Sequence, residues 1–192
     1  MGDYENLWTT KIRQHPERTV PDRAREFLAS GQVAHVGFEY EGRPYVIPML
    51  YAYSAEQPAR IYLHSGPASR MLNALAKGIP VCATVTQLDG LVYSRDAKYH
   101  SANYRSVMCF GRGRLLEDDD EKRRIFEEMT LRYFPDRTAG RDYIPAPPAH
   151  LRTTTMIEMV IEEISAKMRE GGPKGPNDEN DDALGTRGIV EL

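Results

Sequence analysis

The chain has 192 residues, is 41% hydrophobic and 28% charged, and carries a formal net charge of -3. These values fit one soluble globular domain and exclude a disordered chain or a general nucleic-acid binder, which needs a basic face for the phosphate backbone. No apolar run is long enough to span a membrane, the first residues lack the order of a signal peptide, and a cytoplasmic protein is expected.

Residues 1–18, with the single tryptophan Trp8, have no strong period and read as an N-terminal arm. The stretch TVPDRAREFLASG then carries helix signals at both ends: Thr19 as a candidate N-cap, Pro21 and Asp22 in the first turn, and Gly31 past the last. From Gln32 the period becomes two. Ala34, Val36, Phe38 and Tyr40 alternate with smaller or polar residues, Glu41-Gly42 offers a tight turn, and PYVIPMLYAY resumes an extended pattern, predicting a hairpin. Pro44 and Pro48 cannot donate to a ladder, so the second strand is expected to have an edge or opening.

ARIYLHS predicts another strand, followed by a turn at Gly66-Pro67 and a helix whose apolar stripe is Met71, Leu72 and Leu75, closed by Lys77 and Gly78. IPVCATVTQLDGLVYS reads as two β-branched runs with a possible turn at Asp89-Gly90, and NYRSVMCFGRGRLL as a strand bulged or bent at Gly111 or Gly113. EDDDEKRRIFEEMTLRYFP predicts an amphipathic helix with acidic residues in its first turn and Ile125, Phe126, Met129 and Tyr133 on its apolar face. A Pro-rich segment ending in a helical turn leads to TTTMIEMVIEEISAKMR, whose alternation favours a strand although its composition permits helix. The tail from 171 is rich in Gly, Pro, Asn and Asp and is expected to stay mobile or drape over a neighbour. Hairpin-linked strands in this order point to a mainly β fold with flanking helices, a barrel and not a doubly wound sheet.

The histidines are scattered and no paired-cysteine, nucleotide-loop or nucleophile-elbow motif occurs, so no metal site is expected. Cys82 and Cys109 sit in apolar runs and read as buried free thiols. Two constellations remain. At the strand-to-helix turn, Ser69 and Arg70 bring a hydroxyl and a forked cation to a helix start, a setting for an anion; the alternative is that Ser69 only caps the helix and Arg70 is solvated. At the start of the later strand, Asn103, Tyr104, Arg105 and Ser106 form a polar cluster that suits one end of a groove or, equally, a solvent-facing strand end.

The segments GRPYVIPMLY, IYLHSGPASRMLNAL, VCATVTQLDGLVYSRDAKYHSANYRSVMCFGRG and EEISAKMREGGP together resemble the FMN-binding split barrels related to pyridoxamine 5'-phosphate oxidase, and more closely their nitroimidazole-resistance reductase branch. The resemblance covers roughly residues 19–173, with the split-barrel domain over 19–170 and the C-terminal tail over 171–192. It implies a six-stranded antiparallel split barrel that forms a homodimer, with FMN in grooves between the subunits and a small-molecule substrate. It further implies that Val46, Ile47, Pro48 and Met49 lie along the isoalloxazine and that His64, Ser65, Ser69 and Arg70 surround the phosphate turn. Asn103, Tyr104, Arg105 and Ser106 would supply further polar contacts, Arg105 or Ser106 near the flavin's N1 and O2 edge. His64 resembles by position a histidine discussed as catalytic in the nitroimidazole reductases.

The chain also departs from the oxidase pattern. Met71 stands where the oxidases carry a second basic residue, PYVIPM is uncharged, and the tail offers no counterpart of their substrate-binding arginine and histidine. An FMN-dependent oxidoreductase drawing on a nicotinamide donor is therefore expected rather than a pyridoxamine phosphate oxidase. The rivals are a non-catalytic flavin or haem carrier or sensor, with His64 or His100 as haem ligand, an apo structural dimer, and a deazaflavin in place of FMN.

Overall fold

A computed structural model describes residues 10–192; the first half of the expected arm, Trp8 included, lies outside the described residues. The elements are α1 (Ala24–Ser30), β1 (Val33–Tyr40), β2 (Arg43–Leu50), β3 (Arg60–Ser65), α2 (Arg70–Leu75), β4 (Pro80–Tyr93), β5 (Ser101–Leu115), α3 (Asp119–Tyr133), α4 (Pro148–Arg152), β6 (Thr155–Arg169) and β7 (Gly188–Glu191).

Six strands follow the antiparallel order β2-β1-β4-β5-β6-β3, and β7 adds to β4. The sheet curls until its two edges meet at one reciprocal bridge, Ala52 with Tyr62, whose two N–H to carbonyl bonds are each 3.0 Å. Elsewhere β2 pairs only with β1, which accommodates the missing donors of Pro44 and Pro48. The expected split barrel is the fold.

Period-two patterning explains the interior. Register places Met49, Ala34, Val85, Val107 and Ala166 in one row across five strands, and Ile47, Val36, Ala83, Cys109 and Ile164 in the next. All but the two ends on β2 and Ile164 are buried, giving a barrel core sealed by Phe27 and Leu28 of α1 and by Met71, Leu72 and Leu75 of α2. Each fully buried aliphatic side chain contributes about 1.5–3 kcal/mol. Tyr62, on the outer face of β3, joins Ile125 and Met129 of α3 and Met156 in a second cluster. Asp118 caps α3 by accepting from the Glu121 N–H at 2.7 Å, as its acidic first turn suggests.

Three expectations need correction. Thr19 is not a helix N-cap: it follows a 3₁₀ turn at Pro16–Arg18 and bridges Lys167, and the α-helix starts at Ala24 after a second 3₁₀ turn at Pro21–Arg23. Proline at the head of each turn favours these short tight turns over one long helix. Asp89-Gly90 is not a turn: β4 runs through it, and the pairing with β5 shifts between Leu88 and Gly90 as a bulge. Glycine is needed there because a side chain would meet the β7 backbone, with the Val190 carbonyl at 3.0 Å. The tail neither stays loose nor leaves the chain. It returns to pair β7 with β4, held by buried Asp178, which accepts from the Ser94 hydroxyl, the Arg95 N–H at 2.8 Å and the Gly175 N–H.

Candidate functional site

The turn after β3 is built as its residues dictate. Ser69 is extended, its Oγ accepts from the Leu72 N–H at 3.3 Å, and its hydroxyl proton remains to donate outward, so capping and ligand contact are compatible in one side chain. Arg70 reaches across to the β1–β2 hairpin: Nη1 donates to the Tyr45 hydroxyl at 3.2 Å, and the guanidinium carbon lies 5.6 Å from the Tyr45 ring centre and 6.0 Å from that of Tyr40. Among the described residues no carboxylate neutralises it. Since α2 has only six residues, the arginine rather than the helix dipole supplies the positive potential.

β2 lies beside this cation with its free edge outward. Tyr45, Ile47 and Met49 pack on the core, while Val46, Pro48 and Leu50 face out, Val46 at 67% exposure. Arg70 thus meets β2 through Tyr45, the residue just before Val46–Met49, and Ser65 ends the strand that leads into the turn of Ser69 and Arg70.

His64 points to the other face of β3. Its ring meets Phe126 of α3 edge-on at 4.9 Å, and its Nδ1 is buried without a hydrogen-bond partner. Burial lowers its pKa, so the imidazole is neutral near pH 7.

The second constellation sits elsewhere. Asn103 is buried and accepts from Arg169; Arg105 grips Asp89 through Nε and Nη2, the latter at 2.6 Å; and the Ser106 hydroxyl faces the Lys167 carbonyl at 3.4 Å. The charge of Arg105 is thus met within the chain, by a carboxylate that the β4 bulge presents. Tyr104 is half-buried opposite Leu88 and Arg169. Ser65 is level with Thr155 at the start of β6, whereas Ser106 is level with Lys167 near its end. That separation is about 40 Å of strand at ~3.3 Å per residue. One chain does not gather both clusters around one ligand.

Sequence reasoning missed Tyr40 and Tyr45 as the cradle of Arg70, since only the pairing of β1 with β2 brings these rings beside α2. It also missed a cavity at the far end of β6, whose lining comes from three distant segments. His100 lines that cavity, its Nδ1 3.2 Å from the Ala97 carbonyl. Both cysteines are free, and burial raises both thiols, so neither is an activated nucleophile. No group of three metal-ligating side chains occurs among the described residues, and no helix there is long and apolar enough to cross a membrane.

A curled antiparallel barrel whose two edges meet at a single bridge defines a split-barrel protein. The chain belongs to the pyridoxamine 5'-phosphate oxidase family, whose model matches residues 21–168. Among solved structures it is similar to the FAD and heme binding protein from Mycobacterium smegmatis, at 30% identity and a TM-score of 0.80, over 91% of this chain and 84% of that one. It is likewise similar to the flavocytochrome Anf3 from Azotobacter vinelandii, at 28% identity and a TM-score of 0.83, over 97% of this chain and 85% of that one. A candidate 5-nitroimidazole antibiotic resistance protein from Bacteroides thetaiotaomicron follows at 26% identity and a TM-score of 0.62, over 78% and 85% of the two chains. No curated protein matches the sequence significantly.

Proposed function

We propose that this protein is a flavin-dependent oxidoreductase acting as a homodimer, with the FMN unit of its flavin bound in a groove between two copies. The observation that carries this reading is Arg70: a guanidinium without a carboxylate partner, fixed by two tyrosines beside the exposed edge of β2. Ser65, Ser69 and Arg70 bind the phosphate. Val46, Ile47, Pro48 and Met49 line the ring system with apolar surface and exclude water from it. Asn103, Tyr104, Arg105 and Ser106 of the second copy provide donors at the ring's polar edge, because the same residues in one chain lie too far from Arg70 to do so. A bound flavin would supply the redox chemistry, hydride transfer from a nicotinamide donor to a small organic acceptor. The protein positions both partners and stabilises developing negative charge with fixed donors.

The FAD named for the Mycobacterium relative fits the same placement, with its FMN half at Arg70. Arg70→Ala removes one charge-assisted contact worth about 1.5–3 kcal/mol, so flavin affinity falls about 10- to 100-fold in a fluorescence titration. Unchanged affinity would remove the phosphate assignment.

A second reading, haem carriage on the same barrel, is favoured by His64, whose neutral imidazole has a buried nitrogen with no partner, and by the haem named for the Mycobacterium relative. It is recognised by a Soret band that His64→Ala abolishes.

A further inference from the structure

At the end of β6 remote from Arg70 lies a cavity of about 700 Å³. Its walls are the 3₁₀ turn Pro16–Arg18, a second 3₁₀ turn at Ala97–Tyr99, and the last residues of β6. Its size is that of a small-molecule site and exceeds what a lone phosphate would fill. The lining carries the cations Arg18, Lys98, Arg169 and Lys174 against two carboxylates, Glu17 and Glu170. Glu17 is already engaged, 3.0 Å from His15 Nδ1 and 3.8 Å from Arg18.

Arg169 is held rigidly but not neutralised. Its donors go to uncharged acceptors, the Asn103 side chain and the carbonyls of Gly171 at 3.1 Å and Gly172 at 3.0 Å. No carboxylate pairs with it among the described residues. Burial, and after it the nearby charge of Arg18, lower its pKa. Beside His15, His100 and Ser101 the lining has an apolar part, Val20, Met168 and Tyr99, the last 40% exposed and offering ring surface. Four cations and an exposed aromatic ring lining one cavity match a phosphorylated nucleoside.

We propose that this cavity binds the adenosine diphosphate moiety of a dinucleotide, its phosphates between Arg18 and Arg169 with Lys98 and Lys174 at the mouth, and its base against Tyr99 and Val20. Two ligands carry that moiety: a flavin extended to FAD, and the nicotinamide donor. The FAD source rests on the flavin reading above; binding of free ADP does not.

The test is calorimetric titration of the full chain with ADP, FMN, FAD and NADPH, repeated on Lys98→Gln/Lys174→Gln and on Arg169→Gln. The double variant removes two exposed lysines that have no hydrogen-bond partner among the described residues, so it reads the site even if Arg169→Gln, which also frees Asn103, fails to fold. The expected result is that ADP binds the wild type and binds about tenfold more weakly to the variants, while FMN binding is unchanged in the double-lysine variant. FAD weakening in step with ADP assigns the moiety to the flavin; NADPH weakening alone assigns it to the donor. Absence of ADP binding at millimolar concentration, equal affinity in wild type and variants, or a Soret band lost in His100→Ala would overturn the proposal. A protein that binds ADP but neither FMN nor FAD keeps this site and loses the flavin reading.

Discussion

His64 stands out in the sequence through its resemblance in position to a histidine discussed as catalytic in the nitroimidazole reductases, but its surroundings are not legible there. Alternation along β3 sends Ile61 and Leu63 into the barrel and Tyr62 and His64 toward α3, and the ring that covers His64 is Phe126 of that later helix. Its pKa is lowered by burial, so between the folded value and the unfolded value near 6.5 the unfolded chain binds more protons. Stability is therefore lost as pH falls below about 6.5. The melting temperature is expected to drop by a few degrees between pH 7.5 and 5.5, and His64→Leu to reduce that drop. An identical pH profile in the variant would show that His64 is not the group responsible. Arg105 makes a related point: its type and position were readable, but its neutralisation by Asp89 was not, because Asp89 read as part of a turn.

At the scale of elements, strong local patterns carried through. The β1–β2 hairpin forms around Glu41 and Gly42, both with positive φ, 52° and 73°. β6 follows its alternation over its helix-permitting composition, because its side chains meet β5 on one flank and β3 on the other. What failed locally was decided at a distance. An Asp-Gly pair suits a turn or a bulge, and the approach of β7 selects the bulge. The polar tail looked unanchored because its anchors lie far off in sequence: the ladder of β7 with β4, Arg95 on the Ala183 and Gly185 carbonyls, and the carboxylate of Asp178. Burial pushes that group's pKa up, but bonds from the Arg95 and Gly175 N–H groups and the Ser94 hydroxyl outweigh this and hold it below the usual range. Asp178→Ala is expected to release β7 without unfolding the barrel: amide exchange in Gly188–Glu191 rises to the level of a local opening, while β5 and β6 keep their protection. Loss of protection throughout would make the tail part of the global folding unit instead.

For the whole molecule, the sequence conveyed the barrel and the residue types of a flavin site, yet not their arrangement. Ser69 and Arg70 lie at one end of β6 and Asn103–Ser106 at the other, so under the proposed reading each chain contributes two half-sites. The cavity draws its cations from residues near 18, 98 and 169–174, a grouping no spacing in the sequence announces. A second copy is the economical way to bring the half-sites together, and exposed Val46 and Leu50 on β2 leave apolar surface available for it. The most direct test is flavin stoichiometry with molar mass, by absorbance and light scattering on protein saturated with FMN or FAD and then desalted. The account predicts a dimer retaining close to one flavin per chain. A monomer that keeps its flavin would contradict the shared groove, and a protein that retains none would contradict the flavin site itself.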